Sequence, residues 1–485
     1  MTIGELIKKP EYLKRVAIKF EGQRITYSVL DSMSDNAAYY LKGIGLRKGD
    51  KVAIYMQNCP EYIAWYLGIA KAGMISIPIN TFLKDKEIAY ILRDSGCITV
   101  IISEAMKDCI NKVKEEIGHI TVIERLVPAK ETALEIPTED DVATIIYTSG
   151  TTGFPKGVIL THKNLLSNAE ACIKAIDITK DDRIILFLPL FHSFAITVCM
   201  ITPLMIGARI VLLRSVKPFS KVVKALFLDR VSIFVAVPIV YHILSKKDIP
   251  RTLLKLLALR FCVSGAAPLP SEVLQSFEQR FKIPLIEGYG LTEASPVVSV
   301  NPLKGLRKPC SVGIPLPGIE VKVVGDDGNE LPMGEVGELL VKGPCVMLGY
   351  YNRPEETAET IRDGWLSTGD LARIDEDGYI CIVDRKKDLI ITDGMNIYPR
   401  EIEELLLKNV AVSEAAVVGI KGVAGTEYPK AYIVLKEEAK ASEKEIKDFC
   451  RESLAPYKVP RQIEFVKELP KGPTGKILKR VLRCR

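Results

Sequence analysis

Residues Tyr147 to Val158 read YTSGTTGFPKGV and follow directly on the apolar run VATII. Small and hydroxylated residues between glycines let backbone N–H groups approach an anion closely, and Lys156 adds a full positive charge. The segment reads as a phosphate-gripping loop, although a Gly/Thr-rich stretch also serves as a plain turn. It is not a Walker A motif: Phe154 and Pro155 separate Gly153 from Lys156, and neither Ser nor Thr follows that Lys. Glu293 offers a hard oxygen of the kind Mg²⁺ favours when it shares its shell with nucleotide phosphates, or simply caps a helix. Asp370 sits in a Thr-Gly-Asp turn, where its carboxylate can accept two hydroxyl hydrogen bonds. Lys476 stands on a Gly-rich turn in a tail that has nine Lys or Arg against two Glu from Tyr457 to Arg485. That tail fits a solvated end as well as a polyphosphate site or a nucleic-acid-binding tail.

Such residues need a large scaffold. The chain has 485 residues, 48% of them apolar and 26% charged, enough for two or more domains. A net charge of +6 at this length gives no reason to expect nucleic acid. Eleven dispersed cysteines include no Cys-x-x-Cys pair, so neither a zinc site nor a disulfide framework is indicated and a reducing cytoplasm is expected. The amino terminus MTIGELIKKPEYLKRV has no apolar run of signal-peptide length. Ile184 to Ala208 is free of Asp, Glu, Lys and Arg and long enough for the roughly 20 residues of a membrane span. Pro189, His192, Pro203 and Gly207 interrupt it, however, so a strand, a turn and a buried helix are expected.

Short apolar runs such as KVAIYM and ITVIIS alternate with helical stretches at 63–72 and 271–281, which predicts an α/β fold with largely parallel sheets. From Gly318 to Ile382, Gly-Asp turns separate IEVKVV, GELLVKG and YICIV, as in an antiparallel sheet or a small barrel. After DRKKD the pattern resets into a compact α+β tail, in which Ser442 followed by Glu445 fits a helical capping box. Two domains are expected, residues 1–386 and 387–485.

The loop at 147–158 resembles the signature of the adenylate-forming enzymes, which include acyl-CoA synthetases, peptide-synthetase adenylation domains and firefly luciferase. GYGLTE at 288–293, STGDL at 367–371, DRKKDLIITDGMNIYPREIE at 384–403 and PTGKILKR at 473–480 then follow in that family's order. The resemblance implies a large N-terminal domain and a small mobile lid. It implies ATP, Mg²⁺ and coenzyme A as the small molecules used, with no nucleic acid and no transmembrane segment; a homodimer and peripheral membrane contact stay open. Thr148, Ser149, Gly150, Thr151, Thr152, Gly153 and Lys156 would cradle phosphates, with Thr148 and Glu293 at the metal. Gly265, Ala266 and Ala267 would lie against adenine, Tyr289 would stack on the base, and Gly290 and Thr292 would line the nucleotide. Asp370 and Arg385 would hold the ribose. Lys476 would stabilise charge as a carboxylate attacks the α-phosphorus. Rotation about Lys387 would then withdraw Lys476 and bring Gly394 beside the pantetheine arm of CoA.

The acid is less constrained. Acetyl-CoA synthetases carry Trp where this chain has Gly290, so a glycine there is expected to leave an acyl tunnel open. LPLFHSFAITVCM resembles fatty acyl-CoA ligases, with His192 at the pocket mouth or as a core histidine. A medium- or long-chain fatty acid is therefore the leading expectation. An aromatic acid and transfer to a carrier protein are the alternatives, and a luciferase-like oxygenase or a non-catalytic nucleotide-binding regulator are rivals of another class.

Overall fold

The structure is a computed structural model describing residues 1–148, 155–247, 249–392, 395–421, 427–472 and 477–483, with the Arg251 side chain excepted. Two sheets form the large domain's body. One runs, edge to edge, through Ile314–Pro315, Val297–Val300, Leu285–Gly290, Phe261–Ser264, Ile233–Ala236, Arg183–Leu186, Arg209–Leu212, Val16–Phe20 and Gln23–Thr26. Its inner pairs are parallel, and antiparallel strands close both edges. The other runs through Gly349–Tyr350, Lys156–Thr161, Val142–Thr148, Ile75–Pro78, Lys51–Tyr55, Thr99–Ile102 and Thr121–Ile123.

Central strands such as Ile233–Ala236 and Phe261–Ser264 are buried along their whole length, as expected of a sheet covered on both faces. Pro60–Lys71, with Pro at its first position, is buried on nearly every side, and Trp65, Tyr62 and Tyr66 anchor the core against it. The predicted strand, turn and buried helix at 184–208 are found as Arg183–Leu186, a π-helical stretch Ala195–Ile201 and Thr202–Met205. Among the described residues no helix is long and apolar enough to cross a membrane.

The predicted antiparallel region is a curled, open sheet of Glu320–Val324, Gly337–Lys342, Trp365–Ile374, Ile361–Arg362 and Ile380–Arg385. Beyond it lies the smaller α+β domain, in which Val412–Lys421 pairs with Glu427–Leu435, and Glu427–Leu435 in turn pairs in parallel with Gln462–Phe465. Helix Glu443–Arg451 carries the predicted capping box: Ser442 Oγ accepts from the Glu445 N–H at 3.3 Å, and the Glu445 carboxylate accepts from the Ser442 N–H at 2.7 Å.

Candidate active site

Parallel strands leave their carboxyl ends and the following loops free to bind ligands. Here the strand Phe261–Ser264 delivers Gly265, Ala266 and Ala267, and its neighbour Leu285–Gly290 delivers Tyr289 and Gly290 and then a single turn, Thr292–Ala294. Gly265 packs so tightly on Phe194 that a Cβ would sit 3.0 Å from the ring, and Ala266 holds a φ of +66°. Buried Glu287, two residues before Tyr289, accepts from the Leu269 N–H at 2.9 Å and so ties the two strand ends together. Burial pushes its carboxyl up to about 7.

Tyr289 donates its hydroxyl to Asp370 Oδ2 at 2.5 Å, and Arg385 Nε stands 3.3 Å from Asp370 Oδ1. Asp370 and Arg385 face each other across adjacent strands, so sheet register alone fixes that pair. The Thr-Gly-Asp turn is held by Asp370 N–H donating to Thr368 Oγ1 at 3.1 Å, with Gly369 at φ +69°. Burial first, and then the Asp370 charge, push the Tyr289 phenol well above its usual value, so it remains a donor.

Thr148 and Lys156 face each other across the hairpin Val142–Thr148 and Lys156–Thr161. Lys156 forms an ion pair with Glu356 and lies 5.2 Å from the Tyr350 ring centroid, while Tyr350 donates its hydroxyl to Glu293 Oε1 at 3.0 Å. Thr292 shares a hydrogen bond of 3.1 Å with Ser193, next to His192, which is partly exposed with its ring 6.1 Å from that of Phe191. Lys387 lies exposed in the turn Lys386–Asp388. Ser149, Gly150, Thr151, Thr152, Gly153, Gly394 and Lys476 lie outside the described residues; Lys471 and Ile477, which flank the last of these, form an antiparallel bridge.

One expectation changes. A Cβ on Gly290 would come within 2.0 Å of the Pro296 carbonyl oxygen, so the space that a side chain there would enter is filled by this chain's own backbone. The glycine makes room for the strand that follows, and an acyl tunnel does not follow from it. The motifs also failed to flag Tyr350, Glu356, Glu287 and Ser193, which the fold adds to the site. The only sequence signal for the first two was a Gly-Tyr followed by Arg-Pro-Glu-Glu, ordinary turn-and-helix chemistry.

Carboxylate, hydroxyls and cations spaced in this way suit a nucleotide with its phosphates. Mg²⁺ binds through one or two carboxylates plus substrate phosphates, so Glu293, with the Thr148 hydroxyl, is a fitting donor set. The AMP-binding enzyme family matches residues 8–351, and the AMP-binding enzyme C-terminal domain matches residues 401–476. A long-chain-fatty-acid CoA ligase of Bacillus subtilis (strain 168) is 36% identical, covering 96% of this chain and 91% of its own. Among solved structures, ATP-bound MatB from Rhodopseudomonas palustris superposes with a TM-score of 0.93 at 32% identity, covering 100% of this chain and 98% of its own. The anthranilate CoA ligase AuaEII in complex with anthranoyl-AMP gives 0.92 at 30% identity, covering 100% and 97%.

Proposed function

The chain belongs to the AMP-binding, adenylate-forming enzymes, and from that premise we propose that it is an ATP-dependent acid:CoA ligase that works through an acyl adenylate. The observation that carries this reading is the meeting of Tyr289, Asp370 and Arg385, drawn from three separate motifs, at the strand ends that also present Thr292 and Glu293.

In the first step a carboxylate oxygen attacks the α-phosphorus of ATP, the P–O bond to pyrophosphate breaks, and acyl-AMP forms. Asp370 and Arg385 hold the ribose and Tyr289 lies against the base. Gly265, Ala266 and Ala267 border the adenine, and Gly290 borders the nucleotide. Thr292, Lys156 and the loop from Thr148 to Gly153 line the phosphates. Mg²⁺ bound at Glu293 and Thr148 would supply charge neutralisation there. Lys476 offsets the charge building on the phosphoryl oxygens. In the second step the CoA sulfur attacks the acyl carbonyl, the thiol proton is lost and AMP leaves. For that step residues 387–485 rotate about Lys387 and present Gly394. The reaction belongs in the cytoplasm, a setting that suits the free thiols of the described cysteines.

For the acid, an aromatic carboxylate takes precedence over the fatty acid that the sequence suggested. The filled space at Gly290 removes the argument for a tunnel, and the neighbour that carries anthranoyl-AMP supports a compact ring. The fatty-acid reading keeps the 36% identity to a long-chain ligase and the resemblance of residues 188–200 to fatty acyl-CoA ligases, with His192 beside the acyl chain. The test is AMP and acyl-CoA production from ATP, CoA and a panel of benzoates and of saturated acids. Benzoates leading the panel supports the first reading; a saturated acid ahead of every benzoate reverses the order. Acyl-AMP formed without acyl-CoA points to another acceptor, such as a carrier protein.

A further inference from the structure

The strand Gly349–Tyr350 belongs to none of the motifs that marked the site, yet it lies against the residues assigned to metal and phosphates. It pairs with the strand that begins at Lys156, with Tyr350 opposite Val158 and Gly349 opposite Ile159. The Tyr350 N–H donates to Thr357 Oγ1 at 2.9 Å. Gly349, at φ +150°, sits so close to Thr357 that a Cβ would come within 2.5 Å of its Cγ2. The backbone at Tyr350 is thereby held in place, and two working groups meet on its ring. Its hydroxyl donates to Glu293 Oε1 at 3.0 Å, and its face lies 5.2 Å from Lys156 Nζ. A donor fixed on one carboxylate oxygen restrains the group while leaving the other oxygen, Oε2, for a cation.

Resting on the adenylation reading, we propose that Tyr350 is a positioning residue that aims the Glu293 carboxylate at the divalent cation carried by ATP and holds Lys156 beside the same phosphates. The ring, together with the Glu356 ion pair to Lys156, explains how a strand-end lysine and a metal-binding carboxylate from distant segments come together. Neither could be set by its own backbone alone, since both side chains are long and rotamer-rich.

Tyr350→Phe deletes only the hydroxyl and keeps the ring beneath Lys156. The probe is Mn²⁺, followed by its electron paramagnetic resonance in the presence of a non-hydrolysable ATP analogue, which requires no turnover and no acid. Outer partners of metal ligands change affinity by roughly 10- to 100-fold. Mn²⁺ is therefore expected to bind about tenfold more weakly to the variant, while metal-free AMP binding and the melting temperature stay as in the wild type. In a Glu293→Gln background the same change is expected to add nothing, because Tyr350 acts through that carboxylate. Unchanged Mn²⁺ affinity in Tyr350→Phe, or two losses that simply add, overturns the role of Tyr350 while leaving the ligase reading intact. A wild type that forms no acyl-AMP from any acid of the panel overturns the reading on which the role rests.

Discussion

Glu287 shows how one side chain can bind two loops and give the protein a pH signature. It is buried, it accepts from the Leu269 N–H, and its carboxyl is pushed up to about 7 by burial, with Arg400 opposing the shift and Glu404 reinforcing it. An acid whose folded value lies above its unfolded value near 4.5 binds more protons folded than unfolded between those two pH values. Its contribution to stability is therefore complete below about pH 4.5 and is lost as pH rises towards about 7. Glu287→Gln keeps an acceptor for Leu269 and removes the ionisation. The variant is expected to match the wild type near pH 5 and to exceed it by a few kcal/mol, on the order of 2 to 3 for a shift of this size, near pH 8. Melting temperatures followed across that range check it, and a difference that does not vary with pH excludes the carboxyl as its source. Lys476→Ala is argued on different ground, since loss of a charge stabiliser aimed at the transition state costs about 10²- to 10³-fold in rate. Acyl-AMP formation is expected to fall by that factor while conversion of supplied acyl-AMP to thioester persists. A variant that loses both half-reactions equally would tie Lys476 to binding instead.

At the scale of elements, the site depends on how closely strands approach each other. Gly290 ends its strand against Pro296, where a Cβ would meet the carbonyl oxygen at 2.0 Å. Gly290→Ala must push Val297–Val300 outward, and overpacking of this kind costs about 1 to 3 kcal/mol. A clear fall in melting temperature is expected, together with weaker AMP binding, because Tyr289 rides on the same strand. An alanine variant that melts like the wild type and changes only its choice of acid would restore the acyl-tunnel reading. This position also marks the limit of what was legible beforehand. The alternation of runs announced parallel sheets, Gly-Asp turns announced the antiparallel one, and Ser442 with Glu445 announced a helix start, all because local chemistry dictates them. Tyr289, Asp370 and Arg385 were nameable as a group from their motifs, and sheet register brought them together. What fills the space beside a glycine is decided by a neighbouring strand, and a sequence shows only that the side chain is missing. Tyr350 and Glu356 stayed hidden for the same reason: their importance comes from side-chain contact with Lys156, which no spacing within their own segment encodes.

At the scale of the whole molecule the apolar clusters of the described residues divide between two domains, and none spans both. The main cluster of the large domain gathers buried apolar residues from Ile3 to Ile380, whereas that of the small domain includes Ile390, Ile397, Ile402, Leu406, Val417, Ile433 and Ile446. A hydrogen-bond bridge spans the proposed boundary at 386/387: Arg400 donates from its guanidinium to the Ile382 carbonyl at 2.8 Å and from its N–H to Asp384 Oδ2 at 2.8 Å. Units with separate cores can fold separately, and a polar seam of this kind gives way more readily than an apolar one. It follows that residues 1–386 alone are expected to fold and to bind AMP within a few-fold of the full chain, since Tyr289, Asp370 and Arg385 all lie in that piece. The same piece is expected to lose acyl-AMP formation by about 10²-fold or more, because Lys476 leaves with the lid. Calorimetric titration of AMP into the truncated and full-length proteins, paired with an assay of AMP release, separates the two effects. If the shortened chain binds no AMP, the small domain helps to build the nucleotide site and the boundary at 386/387 does not divide binding from catalysis. If it binds AMP and still makes acyl-AMP at the full rate, the charge that stabilises the first transition state resides in the large domain, and Lys156 becomes the residue to test in place of Lys476.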